Sequence, residues 1–217
     1  MPMDHTNTNP TTDTIAYLAL GDSYTIGTSV TAAESWPALL ADALAKTGTD
    51  GKSYTTEPDI VATKGWTTRD LINGISDRAD LREEYDLVSL LIGVNNQFDG
   101  LSLVEYRTDF EQLLNRAITF AGDDRNKVFV VSTPDYAFTG FGAGNPDISE
   151  EIRRFNAAAQ EITDGYSIPF LNITPISQEG INDPELVAPD NLHPSGKQYL
   201  RWVEKVIEKR VRRVMEE

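Results

Sequence analysis

The chain has 217 residues, of which 40% are hydrophobic and 24% charged, a composition typical of a globular protein with a well-buried core. Its 34 acidic residues outnumber the 19 basic ones, and the net charge of −15 disfavours nucleic acid, anionic lipid surfaces and polyanionic substrates as partners. Cysteine is absent, which excludes disulfides, thiolate catalysis and cysteine-ligated metals. A nucleophile in this chain must therefore be an oxygen or an amine.

The first 13 residues are polar and lack the basic start, the apolar stretch and the cleavage site of a signal peptide. We expect a disordered polar tail over residues 1–13 and a single domain over residues 14–217. No segment approaches the roughly 20 apolar residues that cross a bilayer, so no membrane span is expected. These features favour a cytoplasmic location unless a leader has been removed, and they leave the oligomeric state open.

The predicted elements alternate between strands and helices. An apolar run over residues 15–20 predicts a buried strand, and the alanine- and leucine-rich residues 34–47 predict a helix that stops at Gly48. Further strands are predicted to end near residue 62 and to cover residues 86–92, 127–133 and 168–173, with helices from about residue 68 and over residues 102–120, 149–164 and 195–217. This order predicts an α/β fold, a three-layer sandwich with helices on both faces of a mostly parallel sheet.

The last predicted helix has apolar residues at spacings of three and four, which is typical of a helix that docks one face on a sheet. This stripe consists of Leu200, Val203, Ile207, Val211 and Val214. The basic residues of the same helix are predicted to face solvent.

A serine follows the first predicted strand, in the sequence Gly-Asp-Ser-Tyr over residues 21–24. Open α/β sheets carry out their chemistry at this carboxyl edge, and serine becomes a useful nucleophile when an imidazole takes its proton. His193 is the candidate base, because His5 lies in the predicted tail. Asp190 would orient the imidazole if the residues between them form one turn. Alone, such an Asp-x-x-His pair is also typical of a capped turn whose side chains face water.

Two more loops are predicted to open at this sheet edge. Gly65 follows the strand that ends near residue 62, and Asn95 follows the strand over residues 86–92. Backbone N–H groups of Ser23 and Gly65, with the side-chain amide of Asn95, would suit the developing oxyanion of an ester-cleaving reaction. The sequence therefore offers a complete set of groups for acyl transfer.

These four segments together resemble the SGNH hydrolase family, also called GDSL esterases and lipases. The letters of the family name match Ser23, Gly65, Asn95 and His193 in the family's order, and the resemblance covers most of the chain. It implies a flavodoxin-like sheet, hydrolysis of an ester through an acyl-serine intermediate, and neither a metal nor an organic cofactor.

Two positions depart from the family's pattern, since Tyr24 replaces a leucine and Asn96 stands where aspartate is common. Both are candidate substrate contacts, as is Trp66 beside the second motif. The glycine- and aromatic-rich residues 134–148 predict a long loop that either lines the substrate site or packs onto the body of the protein. Three of its aromatic residues are further candidate contacts: Tyr136, Phe138 and Phe141.

We therefore expect a serine-dependent carboxylic ester hydrolase that acts on a small-molecule ester, with a short acyl group by the family's habits. The main alternative is a carbohydrate O-deacetylase, while lysophospholipase or thioesterase activity is less compatible with the acidic charge. A non-catalytic binding module on the same fold is an alternative from another class. The presence of Ser23, His193 and Asp190 argues against that module.

Overall fold

A five-stranded parallel sheet forms the centre of the computed structural model, which describes residues 11–49 and 51–216. The strands in chain order are β1 (Thr11–Thr14), β2 (Tyr17–Gly21), β3 (Lys52–Thr55), β4 (Asp59–Ala62), β5 (Leu87–Leu91), β6 (Val128–Val131) and β7 (Phe170–Leu171). The main sheet has the order β4-β2-β5-β6-β7 with every pair parallel. This order is that of flavodoxin-like sheets, and it confirms the predicted fold class.

Helices connect the strands. They are α1 (Ser23–Ile26), α2 (Trp36–Ala45), α3 (Thr68–Ser76), α4 (Val94–Phe98), α5 (Leu103–Phe120), α6 (Pro146–Gly165), α7 (Thr174–Ser177), α8 (Gly196–Trp202) and α9 (Glu208–Glu216). A π-helical turn, Val203–Ile207, joins α8 to α9, and short 3₁₀ turns cover Ala32–Glu34, Arg125–Lys127, Tyr136–Phe138 and Pro184–Leu186. No described helix is both long enough and apolar enough to span a membrane.

Two apolar cores lie on opposite faces of the sheet, because successive side chains of a strand point to opposite sides. In β2, Tyr17 and Ala19 join the core beneath α2 and the C-terminal helices. Leu18 and Leu20 join the core beneath α3, α5 and α6. The central strands are therefore buried on both faces, as their continuous apolar sequences predict.

Strand β1 corrects the predicted N-terminal tail. Thr11–Thr14 pairs in parallel with β3, and the hydroxyls of Thr12 and Ser53 lie 2.9 Å apart. The prediction of disorder is wrong for residues 11–13, because main-chain pairing orders this segment although its side chains are exposed. Residues 1–10 of the predicted tail lie outside the described residues.

The C-terminal helix also differs from its prediction. Leu200 is 41% exposed, whereas its neighbours Tyr199 and Trp202 are fully buried. The π-helical turn that follows Trp202 shifts the helical phase. The buried face therefore continues through Val203, Ile207 and Val211, which are four residues apart. Leu200 therefore does not belong to the docking stripe.

The strand order places a crevice between β2 and β5. The chain leaves β2 toward β4 on one side, and it leaves β5 toward β6 on the other. Such a switch point opens a crevice at the carboxyl ends of the two strands, where α1 and α4 begin. The predicted nucleophile and one predicted oxyanion donor follow these two strands directly.

Candidate active site

Ser23 is held in a tight strand-to-helix turn. The Asp22 side chain caps α1, because its Oδ1 accepts a hydrogen bond of 2.9 Å from the backbone N–H of Tyr24. As the first residue of α1, Ser23 has an amide without an acceptor inside the helix. Glycine is required at position 21, since a Cβ there would overlap the Thr25 hydroxyl and a backbone carbonyl. The turn thus fixes both the hydroxyl and the amide of Ser23.

Residues 190–193 form one hydrogen-bonded turn. His193 Nδ1 lies 2.6 Å from Asp190 Oδ2, and Asp190 Oδ1 accepts from the backbone N–H groups of Leu192 and His193 at 3.0 Å each. The Ser29 hydroxyl donates to Asp190 Oδ2 at 2.6 Å. Partial burial opposes ionisation of Asp190, but the hydrogen bonds from Ser29 and His193 outweigh it and hold the pKa of this carboxyl well below its usual range.

The imidazole of His193 is enclosed, with only 4% of the residue exposed. The Tyr24 ring packs edge-on against it at a centroid distance of 5.7 Å. Ser23 and His193 line one cavity. Within residues 11–49 and 51–216, no hydrogen bond joins the Ser23 hydroxyl to the imidazole. Catalytic contacts of this kind often tighten only when substrate binds.

The two predicted oxyanion loops meet at the same cavity, which Gly65 and Asn95 both line. Gly65 has a φ of 87°, in the left-handed region that favours glycine. The Asn95 side-chain amide donates to the Trp66 carbonyl at 2.8 Å. Three predicted donors therefore come together with the serine and the histidine.

Two predicted substrate contacts have structural roles instead. Asn96 is 2% exposed and binds Thr68 twice, accepting from its backbone N–H at 3.0 Å and donating to its hydroxyl at 2.8 Å. Its side chain thereby holds the start of α3. The Trp66 ring packs against α3 at Gly74, where a Cβ would overlap it. Neither residue lines the cavity.

The cavity has a volume of about 260 Å³ and a largely aromatic wall. The rings of Phe98, Tyr136 and Phe141 lie 6.1 to 6.4 Å apart, centroid to centroid. Sequence reasoning predicted Tyr136 and Phe141 but missed Phe98. The sequence does offer a sign of Phe98, because it lies one helical turn beyond Asn95 in the helix that follows a central strand.

Residues 134–148 are more ordered than a long loop. They contain the 3₁₀ turn Tyr136–Phe138, and α6 begins at Pro146. The Phe141 N–H donates to the Asn191 carbonyl at 2.9 Å, which joins this segment to the turn that carries His193. The segment packs onto the body of the protein and also reaches the cavity, since Tyr136 is 5% exposed and is a lining residue. Phe138, the third predicted aromatic contact, does not line the cavity.

A model of the GDSL-like lipase/acylhydrolase family matches residues 19–201, a span that includes all four motifs. The chain belongs to this family. It is therefore a hydrolase that acts on esters, and the resemblance seen in the sequence is confirmed. No curated protein matches the chain by sequence. Among the described residues of this GDSL-family hydrolase, no group of three or more histidine and acidic side chains is arranged to hold a metal ion.

Solved structures show the same fold at low sequence identity. TesA is 15% identical, with 95% of this chain and 98% of that chain covered and a TM-score of 0.66. An extracellular lipase from Streptomyces rimosus is 20% identical, with 90% and 99% covered and a TM-score of 0.64. The psychrotrophic esterase EstA from Pseudoalteromonas sp. is 16% identical, with 94% and 96% covered and a TM-score of 0.62.

Proposed function

We propose that this GDSL-family hydrolase cleaves small carboxylic esters through an acyl-serine intermediate. Ser23 is the nucleophile, His193 the general base and Asp190 the acid that orients the imidazole. The observation that carries the proposal is the short contact between Asp190 and His193, at 2.6 Å, beside a cavity that Ser23 also lines. An aspartate-oriented imidazole that shares a cavity with a serine is the arrangement that serine hydrolases use.

The proposed reaction has two similar halves. Ser23 Oγ attacks the acyl carbon while His193 Nε2 takes its proton, and Asp190 keeps the proton on Nδ1. The amides of Ser23 and Gly65, with the Asn95 side chain, stabilise the oxyanion. His193 then protonates the leaving alcohol. Water repeats the sequence on the acyl enzyme, which releases the carboxylic acid and regenerates the Ser23 hydroxyl.

The cavity supports a small substrate with an apolar acyl group. Its volume of about 260 Å³ lies below the range of roughly 300–1,000 Å³ common for drug-sized ligands. Phe98 and Phe141, each more than half exposed, offer apolar surface that an acyl chain would cover. A net charge of −15 favours neutral over anionic esters.

A panel of neutral esters tests this proposal. Acyl groups from acetyl to dodecanoyl on one alcohol would be compared with acetylated sugars, acyl thioesters and a lysophospholipid, with Ser23→Ala as the blank. We expect the highest kcat/KM for the acetyl to butyryl esters. Highest efficiency on acetylated sugars would assign carbohydrate deacetylation instead, and the absence of any hydrolysis above the blank would support a binding module.

A further inference from the structure

Ser29 contacts the proposed orienting acid from a distant part of the chain. Its hydroxyl donates to Asp190 Oδ2 at 2.6 Å, although 161 positions separate the two residues. This length is typical of a strong hydrogen bond from a hydroxyl to a charged carboxylate. The mechanism described above makes no use of Ser29.

The Ser29 bond completes the coordination of the Asp190 carboxylate. Oδ2 accepts from Ser29 and His193, while Oδ1 accepts from two backbone N–H groups of its own turn. A carboxylate has about four acceptor positions, so all of them are occupied. Because the Asp190 side chain is 31% exposed, water would compete for Oδ2 if the serine hydroxyl were absent. The Ser29 hydroxyl thus holds Oδ2, the oxygen that contacts His193 Nδ1, in place.

The backbone around Ser29 ties the nucleophile to this acid. Ser29 has a φ of 71°, a left-handed conformation that is uncommon for residues other than glycine. The preceding residue, Thr28, donates its N–H to the carbonyl of Ser23 at 3.0 Å. A single short segment therefore carries both the proposed nucleophile and a donor to the orienting acid.

We propose that Ser29 is a positioning residue for ester hydrolysis: its hydroxyl holds the Asp190 carboxylate in the orientation that His193 requires. The proposal rests on the proposed roles of Ser23, His193 and Asp190. Ser29 acts through Asp190 and does not touch the reacting atoms. Its hydrogen bond is among those that lower the pKa of this carboxyl.

The test compares Ser29→Ala and Ser29→Gly with the wild-type protein on a short-chain ester. Both variants remove the hydroxyl, whereas only glycine also relaxes the left-handed backbone. We expect kcat to fall roughly 10-fold in both, with KM unchanged, as for loss of one hydrogen bond to a charged group. The acid limb of the pH–rate profile should move to higher pH, because an Asp190 carboxylate with one hydrogen-bond donor fewer is more basic and stabilises the protonated imidazole more strongly.

Ser167→Ala is the matched control. Ser167 is also an exposed serine with a left-handed backbone, at φ 59°, but it lies before β7 and outside the cavity. Its substitution should change neither kcat nor the pH profile. Loss of activity in the Ser29 variants with normal thermal unfolding would separate positioning from general destabilisation.

Two results would overturn the proposal. One is a kcat and an acid limb in both Ser29 variants that equal those of the wild type. The other is a loss of kcat in Ser29→Ala that is absent in Ser29→Gly, which would assign the effect to the backbone. Failure of the proposed function looks different. The wild-type protein itself would then neither hydrolyse the ester nor react with a fluorophosphonate, and the role of Ser29 would fall with it.

Discussion

The side-chain amide of Asn95 donates a hydrogen bond of 2.8 Å to the backbone carbonyl oxygen of Trp66. This bond joins α4, the helix that follows β5, to the loop after β4, which carries Gly65. It uses one N–H of the amide and leaves the second for another acceptor. A donor fixed in this way stabilises an oxyanion without reorganising during the reaction.

Asn95→Ala should therefore lower kcat by roughly 10²–10³ and leave KM nearly unchanged, as for side-chain oxyanion donors in other hydrolases. Steady-state kinetics on a short-chain ester measure both constants. Asn115→Ala is the control, because Asn115 lies on an exposed part of α5 outside the cavity, where its amide donates to the Glu111 carbonyl and the Tyr166 hydroxyl. A change confined to KM would assign Asn95 to ground-state binding and refute the oxyanion role.

Asp190→Asn should lower kcat by about 10⁴, on the precedent of the equivalent change in a serine protease triad. The asparagine keeps the shape of the side chain, but its amide cannot hold a proton on His193 Nδ1 as the carboxylate does. Asp183→Asn changes an acidic residue that is paired with Lys197 outside the cavity, so it should leave kcat unaltered. A loss of less than about 10-fold in Asp190→Asn would contradict the triad.

Phe98→Ala should change the selectivity for acyl-chain length more than the rate of the chemical step. Phe98 is 58% exposed and contacts two other aromatic residues of the cavity wall, Tyr136 and Phe141. With about 0.8 kcal/mol available per buried methylene, kcat/KM should fall roughly 10-fold more for a butyryl than for an acetyl ester. Leu101→Ala is the control, since Leu101 is 41% exposed nearby but does not line the cavity. An equal loss for both esters would remove Phe98 from the acyl site.

Asp22 should make stability fall as pH rises. Burial raises the pKa of Asp22 to about 7, so the folded protein keeps a proton that the unfolded chain releases from about pH 4 upward. The resulting loss of folding stability grows between about pH 4 and about pH 7, and it stays constant at higher pH. Between about pH 5 and pH 8 the free energy of unfolding should fall by roughly 2–3 kcal/mol more in the wild type than in Asp22→Asn.

Urea denaturation at the two pH values measures this difference. Asparagine keeps an oxygen that can cap α1, so the variant removes the titration without removing the cap. Other titrating groups are common to both proteins and cancel in the comparison. Parallel pH dependences in the two proteins would show that Asp22 does not titrate in this range.

The positions of the four motifs could be predicted from the sequence, because each prediction uses local information. Ser23 and Asn95 directly follow apolar runs that form buried strands, and parallel strands bring their carboxyl ends to one edge. Asp190 and His193 are three residues apart, which suits a single turn. The catalytic roles of these residues are predictions.

Other features depend on contacts that local sequence does not contain. The threonine-rich β1 has no apolar alternation from which a strand could be predicted. Main-chain pairing with β3 orders it instead. Leu200 is exposed because a π-helical turn shifts the phase of the last helix. Asn96 departs from the family's pattern at a position where its side chain holds the start of α3. Each of these depends on a distant segment or a backbone irregularity.

Covalent labelling tests whether Ser23 forms the acyl enzyme. Peptide mass spectrometry after treatment with a fluorophosphonate should find one adduct, on Ser23, and Ser23→Ala should lose both the adduct and ester cleavage. Unchanged cleavage in Ser23→Ala, or an adduct on another residue with Ser23 unmodified, would contradict the mechanism.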